Sequence, residues 1–288
     1  MSISSQVSVL RGHADLLLPL VCDSPHSGVT YPADFGHAVA MADLRMGEDT
    51  HVERLWAHAT EVGATLIAAL FPRSYIDTNR SLVDLDADML AEAWPQPLAP
   101  SHKTELGYGL IWRQVRVGTP IYTRKLSVAE VQQRITSCWQ PYHDTLRAAT
   151  DQAFERFGAC WHLNLHSMPH DAYQRLGIVS PTPLADFVLG DRGGTSCDAE
   201  FLAVVKQAIE AHGYRVAVND PYVGQELVRL MGRPHEGRHS LQIEINRALY
   251  LDESTREPGA GFDKVQADLS EVIEAVAGYV RLKSPARG

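Results

Sequence analysis

The sequence predicts an α/β fold with a mixed, mainly parallel sheet. Two observations carry that prediction: short apolar runs alternate with stretches of helical period along most of the chain, and clusters of histidine, asparagine and acidic residues directly follow several of those runs. In such sheets reactive groups collect just beyond the carboxyl ends of the strands.

Taken in order, residues 16–22 form an apolar run ended by the turn-rich Asp23-Ser24-Pro25, and read as a buried strand. Leu44, Val52, Leu55, Trp56 and Ala59 recur at roughly 3.6-residue spacing and predict a helix over 41–62, closed by Gly63. Residues 64–71 return as a strand that stops at Pro72. Periodicity is weak over 81–123, where Pro95, Pro97 and Pro100 crowd together; with core strands on both sides, this is a functional excursion. Ser127, with Glu130 three residues on, caps a helix that runs to about Phe157 with a break near Pro141. Strands are predicted over 159–165, 187–190, 214–218 and 240–250, and helices over 198–212 and 262–280. No internal repeat is present, so residues 1–288 read as a single domain.

Composition narrows the function. Of 288 residues 45% are hydrophobic and 21% charged, enough apolar material for a sizeable core. The 35 acidic residues outnumber the 26 basic ones, which are scattered, so a nucleic-acid partner is not expected. Cys22, Cys138, Cys160 and Cys197 are far apart with no C-x-x-C pair, which argues against a thiolate zinc site or a disulfide framework and fits a reducing cytoplasm. The apolar run at 16–22 is too short to span a membrane and lacks a cleavage site, so a soluble cytoplasmic protein is expected.

The polar clusters place chemistry at strand ends. His26 and His166 each sit at the mouth of a different strand, where neutral imidazoles could converge on one ion. A catalytic zinc takes three protein ligands and keeps one position for water. The third ligand could be Asp49 or Glu48. His162 is a further alternative, since it shares a strand face with Asn164 and His166, although a supporting or packing role is more ordinary for it. His51, His58 and His143 fall in helical stretches and read as solvent-facing or structural. Glu244 interrupts a strand of isoleucine and leucine, where a carboxylate is costly to bury unless paired or used. It reads either as a salt-bridge partner or as the general base for an attacking water. Arg80 reads either as a partner of Asp77 or as a bidentate clamp on a substrate carboxylate. No G-x-S-x-G turn supports a nucleophilic serine, and Gly190-Asp191-Arg192-Gly193-Gly194-Thr195 lacks the lysine of a phosphate loop.

The ordered set Ser24-Pro25-His26-Ser27-Gly28, Glu48-Asp49-Thr50-His51-Val52, Ile76-Asp77-Thr78-Asn79-Arg80, Leu165-His166-Ser167-Met168-Pro169, Gly194-Thr195-Ser196-Cys197-Asp198, Pro221-Tyr222-Val223-Gly224 and Leu241-Gln242-Ile243-Glu244-Ile245-Asn246-Arg247 resembles the N-formylglutamate amidohydrolase family, relatives of the zinc carboxypeptidases and aspartoacylases. The resemblance spans roughly residues 20–253. It implies a three-layer α/β sandwich of the phosphorylase/hydrolase-like, zinc carboxypeptidase-like kind, with one zinc ion on His26, Asp49 and His166. It further implies Glu244 as base, with Asn79 and Arg80 on the substrate α-carboxylate, and Arg80 is also a catalytic candidate, aiding zinc at the developing oxyanion. Arg192, Arg229 and Arg247 are candidates for the side-chain carboxylate. The implied reaction is hydrolysis of N-formyl-L-glutamate to formate and L-glutamate, a step of histidine degradation, with a small-molecule N-acyl amino acid as the partner. Alternatives are a deacylase of another N-acyl amino acid, a carboxypeptidase-like hydrolase, or a silent metabolite-binding protein. Two departures stand out: Val29 occupies the position at which related carboxypeptidases carry an acidic ligand, and Asn164 the position at which the family tends to carry aspartate.

Overall fold

The computed structural model describes residues 6–284. Its strands are β1 (Val7–Arg11), β2 (Leu20–Ser24), β3 (Thr65–Ala69), β4 (Gln114–Arg116), β5 (Thr119–Pro120), β6 (Cys160–Met168), β7 (Phe187–Gly190), β8 (Val216–Val218) and β9 (Arg238–Asn246). Its α-helices are α1 (Met41–Arg45), α2 (Val52–Leu55), α3 (His102–Glu105), α4 (Val128–Arg134), α5 (Gln140–Phe157), α6 (Ala172–Arg175), α7 (Ala199–Glu210), α8 (Glu226–Met231) and α9 (Phe262–Lys283). Seven strands make one mixed sheet in the order β1-β3-β2-β6-β9-β7-β8. β2 pairs β6, β6 pairs β9 and β7 pairs β8 in parallel, while β7 runs antiparallel to β9. The mainly parallel α/β sheet expected from the alternation of runs is therefore present. Among the described residues no helix is long and apolar enough to cross a membrane.

The chain divides into two compact units. The larger holds Val9–Ser24, Asp49–Ile67 and residues 146–284, and its core follows from the period of two along each strand. Leu20 and Cys22 of β2, Trp161, Leu163 and Leu165 of β6, and Leu241, Ile243 and Ile245 of β9 share one face. They pack against the apolar stripes of α2, α7 and α9. The alternate positions give the other face a different character: Asp23, His162, Asn164, His166, Ser240, Gln242 and Glu244 are all buried and all polar. Register aligns them in rows, with Asp23 beside Asn164, Asn164 beside Gln242, and His166 beside Glu244. Burying so many polar groups is tolerable only where they hydrogen-bond to one another.

The smaller unit holds residues 6–8, Pro25–Glu48 and Ala68–Thr145. Its centre is Arg134 of α4, whose guanidinium is ringed by Phe35, Tyr75 and Tyr122 and donates to Tyr75 O, Phe35 O and the Tyr122 hydroxyl at 2.7–3.2 Å. The excursion expected at 81–123 lies in this unit and carries α3 and the β4–β5 ribbon.

Three boundaries differ from the expected ones for local reasons. The helix expected over 41–62 is broken after Arg45 and resumes at Val52. Gly47 lies against the Trp112 ring so closely that a Cβ there would sit 2.8 Å from it, and His51 takes a left-handed conformation at φ 68°. Helix α4 continues through a π turn, Ile135–Trp139, into α5. The wider turn spares the chain the clash that Pro141 makes in a regular helix, so the expected break near Pro141 becomes a bulge. Finally β1 and the β4–β5 ribbon are short edge or excursion strands with no strong alternation to reveal them.

Candidate active site

In the larger unit the site is organised around Asp49. The Asp49 Oδ1 atom accepts from Arg247 Nη2 at 2.7 Å, and Oδ2 lies 3.0 Å from His166 Nδ1. Arg247 follows β9 directly and also donates from Nε to Ser167 Oγ at 3.0 Å, tying the ends of β6 and β9 together. Burial works against the Arg247 charge, but Asp49, with Tyr250 and Glu253, outweighs it and the guanidinium pKa is raised. Residues 49–51 are pinned from both sides. Thr50 O accepts from the Tyr250 hydroxyl at 3.0 Å, and the His51 ring meets Arg256 O at 3.1 Å. These contacts hold His51 in its left-handed conformation and direct Asp49 at His166.

His166 is fixed on its other side as well: its Nε2 is 2.8 Å from Asn164 Oδ1. Asn164 in turn donates from Nδ2 to Asp23 Oδ1 at 2.8 Å. Glu244, beside His166 in register, accepts from Gln242 Nε2 at 3.0 Å, and Gln242 Oε1 accepts from Gln225 N at 3.2 Å. His162 bridges Asp23 at 2.7 Å and Ser240 Oγ at 2.8 Å, the supporting role its strand position suggests.

In the smaller unit His26, fully buried, follows β2 by two residues and places Nε2 2.7 Å from Asp77 Oδ1. A carboxylate only accepts, so Nε2 carries the hydrogen, and Nδ1 is the atom that His26 would offer to a metal. Asp77 also accepts from Asn79 N, from Arg73 and from Trp112 Nε1. Burial would raise the Asp77 carboxyl, but Arg73, His26 and Arg80 hold it well below the usual carboxylate range. Arg80 is also buried, with Nε on Tyr108 O at 3.0 Å and Nη1 on Asn79 O at 2.8 Å. Gly28 completes the turn after His26, and a Cβ there would fall 2.3 Å from Phe71 O. Gly28→Ala is therefore expected to destabilise the protein by about 1–3 kcal/mol, as overpacking against fixed backbone does. A denaturant midpoint equal to that of the wild type would contradict the packing.

His26, Asp49 and His166 each offer one ligand atom, and these atoms all lie within 4.8 Å of one another. Glu48 is not in that cluster: it accepts from the Tyr31 hydroxyl at 2.8 Å and from Arg45 at 3.3 Å. Two imidazoles and one carboxylate make a donor set suited to a catalytic zinc, with a coordination position to spare. The His166 surroundings fit a cation too. Both of its nitrogens face acceptor oxygens, of Asn164 and of Asp49, so the Asp49 side calls for a proton or a metal between the two atoms.

The other arginines singled out in the sequence have different surroundings. Arg229 is half exposed and donates twice to Glu226 at 2.8 Å. Arg247 is committed to Asp49 and Ser167. Arg192, left-handed at φ 56°, donates from Nη1 to Gly224 O at 2.9 Å. Sequence reasoning missed Asp23, Gln242 and Arg73. Asp23 carries the same signal that exposes Glu244, a carboxylate inside an apolar strand; Gln242 and Arg73 have no signal of their own.

The family described as N-formylglutamate amidohydrolase matches residues 18–251 of this chain. A crystal structure of N-formylglutamate amidohydrolase from Ralstonia eutropha JMP134 superposes with a TM-score of 0.95 at 55% identity, covering 97% of this chain and 99% of that one. An N-formylglutamate deformylase of Pseudomonas putida is 30% identical over 82% of this chain and 83% of its own length. One of Pseudomonas aeruginosa is 29% identical over 90% of each chain.

Proposed function

This chain belongs to the N-formylglutamate amidohydrolase family, and on that premise we propose that it is a zinc-dependent hydrolase that converts N-formyl-L-glutamate and water to formate and L-glutamate. The observation that carries the reading is the convergence of His26, Asp49 and His166, with Glu244 beside His166 on the neighbouring strand. Those three residues would hold one zinc ion. Once bound, the ion supplies Lewis acidity that polarises the formyl group and brings the pKa of water toward neutrality.

The remaining roles fall to the side chains. Glu244 takes the proton of the attacking water and hands it to the amide nitrogen as the C–N bond breaks. Gln242 donates to one Glu244 oxygen and so turns the carboxylate about a fixed point. Arg247 balances the charge of Asp49 without competing for the substrate. Asn79 and Arg80 bind the α-carboxylate of the substrate. For the second carboxylate Arg192 is favoured over Arg229 and Arg247, because those two already hold a carboxylate and Arg192 donates to a carbonyl. The four cysteines are buried free thiols, which supports a reducing cytoplasm as the compartment.

The deciding assay is formate release from N-formyl-L-glutamate by zinc-loaded protein, by the same protein after chelation, and after zinc is restored. Release that vanishes and returns is expected. Unchanged release from chelated protein shown to be free of metal would remove zinc from the mechanism. No release from zinc-loaded protein would move the substrate to another N-acyl amino acid.

A further inference from the structure

The polar face of the sheet carries a chain of buried hydrogen bonds leading away from the ligands. It runs from His166 through Asn164 and Asp23 to His162 and Ser240, with every link between 2.7 and 2.8 Å. Its polarity can be read link by link. The Asp23 carboxylate only accepts, so it must face the Asn164 amide nitrogen. That leaves the amide oxygen toward His166, and an amide oxygen also only accepts. The His166 hydrogen is thereby drawn to Nε2, and the nitrogen facing Asp49 is Nδ1.

We propose that Asn164, held in one orientation by Asp23, is a positioning residue that assigns the two nitrogens of His166, hydrogen on Nε2 and ligand lone pair on Nδ1. The hydrogen on Nε2 follows from the Asn164 contact alone, whereas the lone pair on Nδ1, which also faces an acceptor at Asp49 Oδ2, rests on the metal reading. It also explains why this chain has asparagine at 164. With Asp23 only 2.8 Å from the 164 side chain and both buried, a second carboxylate there would face the first across a hydrogen-bond distance. An acid at one position and an amide at the other satisfies both contacts. His162 and Ser240 then complete the accounting: the Asp23 oxygen that receives Asn164 also receives His162 Nε2, and the Ser240 hydroxyl serves His162 Nδ1.

The test reads the hydrogen itself. Nitrogen–proton correlation spectra of the imidazoles, with His166 assigned by its loss in His166→Gln, are expected to show the hydrogen on Nε2 in wild-type protein both without metal and with zinc. A hydrogen on Nδ1 alone in metal-free protein overturns the proposal whether or not the protein takes up zinc. Asn164→Leu is expected to lose the Nε2 signal and to raise the zinc Kd roughly 10–100-fold, the usual cost of removing a group that orients a ligand. The exchange Asp23→Asn with Asn164→Asp is expected to restore both to within a few-fold. Wild-type zinc affinity in Asn164→Leu, with the Nε2 signal kept, contradicts the assignment. Failure of the wild type to bind zinc would instead sink the metal reading, leaving the hydrogen on Nε2 to be judged from the metal-free spectra.

Discussion

Glu244→Gln is expected to fold, to keep its metal and to lose roughly 10³-fold in kcat for formate release, within the range by which positioned acid–base groups contribute. The expectation follows from what the substitution leaves alone. The Glu244 oxygen that accepts from Gln242 becomes an amide oxygen that still accepts, and the volume is unchanged. What disappears is a group able to take a proton from water and deliver it to the leaving nitrogen. Because the residue is nearly buried, at 7% exposure, solvent is a poor substitute. KM is expected to move far less than kcat, since the missing interaction exists only in the transition state. Turnover within tenfold of wild type, in protein with full zinc content, would falsify the assignment of Glu244 as base. A variant that lost zinc as well would identify Glu244 with the metal rather than with the proton.

The parts of this site that the sequence discloses are those where a residue contradicts its own neighbourhood. His26 follows β2 by two residues, His166 lies near the end of β6, and Glu244 sits between two isoleucines of β9, so strand pattern alone draws attention to them. The sheet itself is legible because apolar residues form an unbroken run in β2 and recur at every second position along β6 and β9. Asp49 is different. The apolar spacing from Leu44 to Ala59 reads as one helix, and on an unbroken helix Asp49 has no reason to turn toward His166. The break comes from Gly47 against Trp112 and from the Tyr250 and Arg256 contacts to Thr50 and His51, all of them partners distant in sequence. Nor does the sequence disclose the surroundings that separate Asp49 from Glu48, Tyr31 and Arg45 around Glu48 and His166 and Arg247 around Asp49. Arg247 shows the same limit: the sequence offers it as one of three candidates for the side-chain carboxylate, and its guanidinium holds Asp49, 198 positions earlier. Local pattern locates groups that are costly to bury, but it does not say which partner offsets the cost.

Asp49→Ala is expected to have two separable effects, one on stability and one on metal. Removing the carboxylate leaves Arg247 buried, at 3% exposure, without the charge that Asp49 supplies, while Ser167 still accepts from it. Breaking a buried ion pair from one side costs about 3–5 kcal/mol, which lowers the melting temperature by roughly 10 °C in a chain of this size. The same substitution takes away one of three ligands, so zinc is expected to be lost on dialysis against buffer that wild-type protein survives. The two effects part company in the double variant Asp49→Ala with Arg247→Met. Removing both charges takes away the buried guanidinium that Asp49 balanced, and the melting temperature is expected to recover most of the loss. Zinc is not expected to return, because Arg247 contributes nothing that can replace a carboxylate oxygen. Zinc retained by the double variant at wild-type affinity would show that Asp49 serves the fold through Arg247 and that the third ligand lies elsewhere. Stability restored without zinc would assign Asp49 to both tasks, one oxygen turned to the arginine and the other to the histidine side.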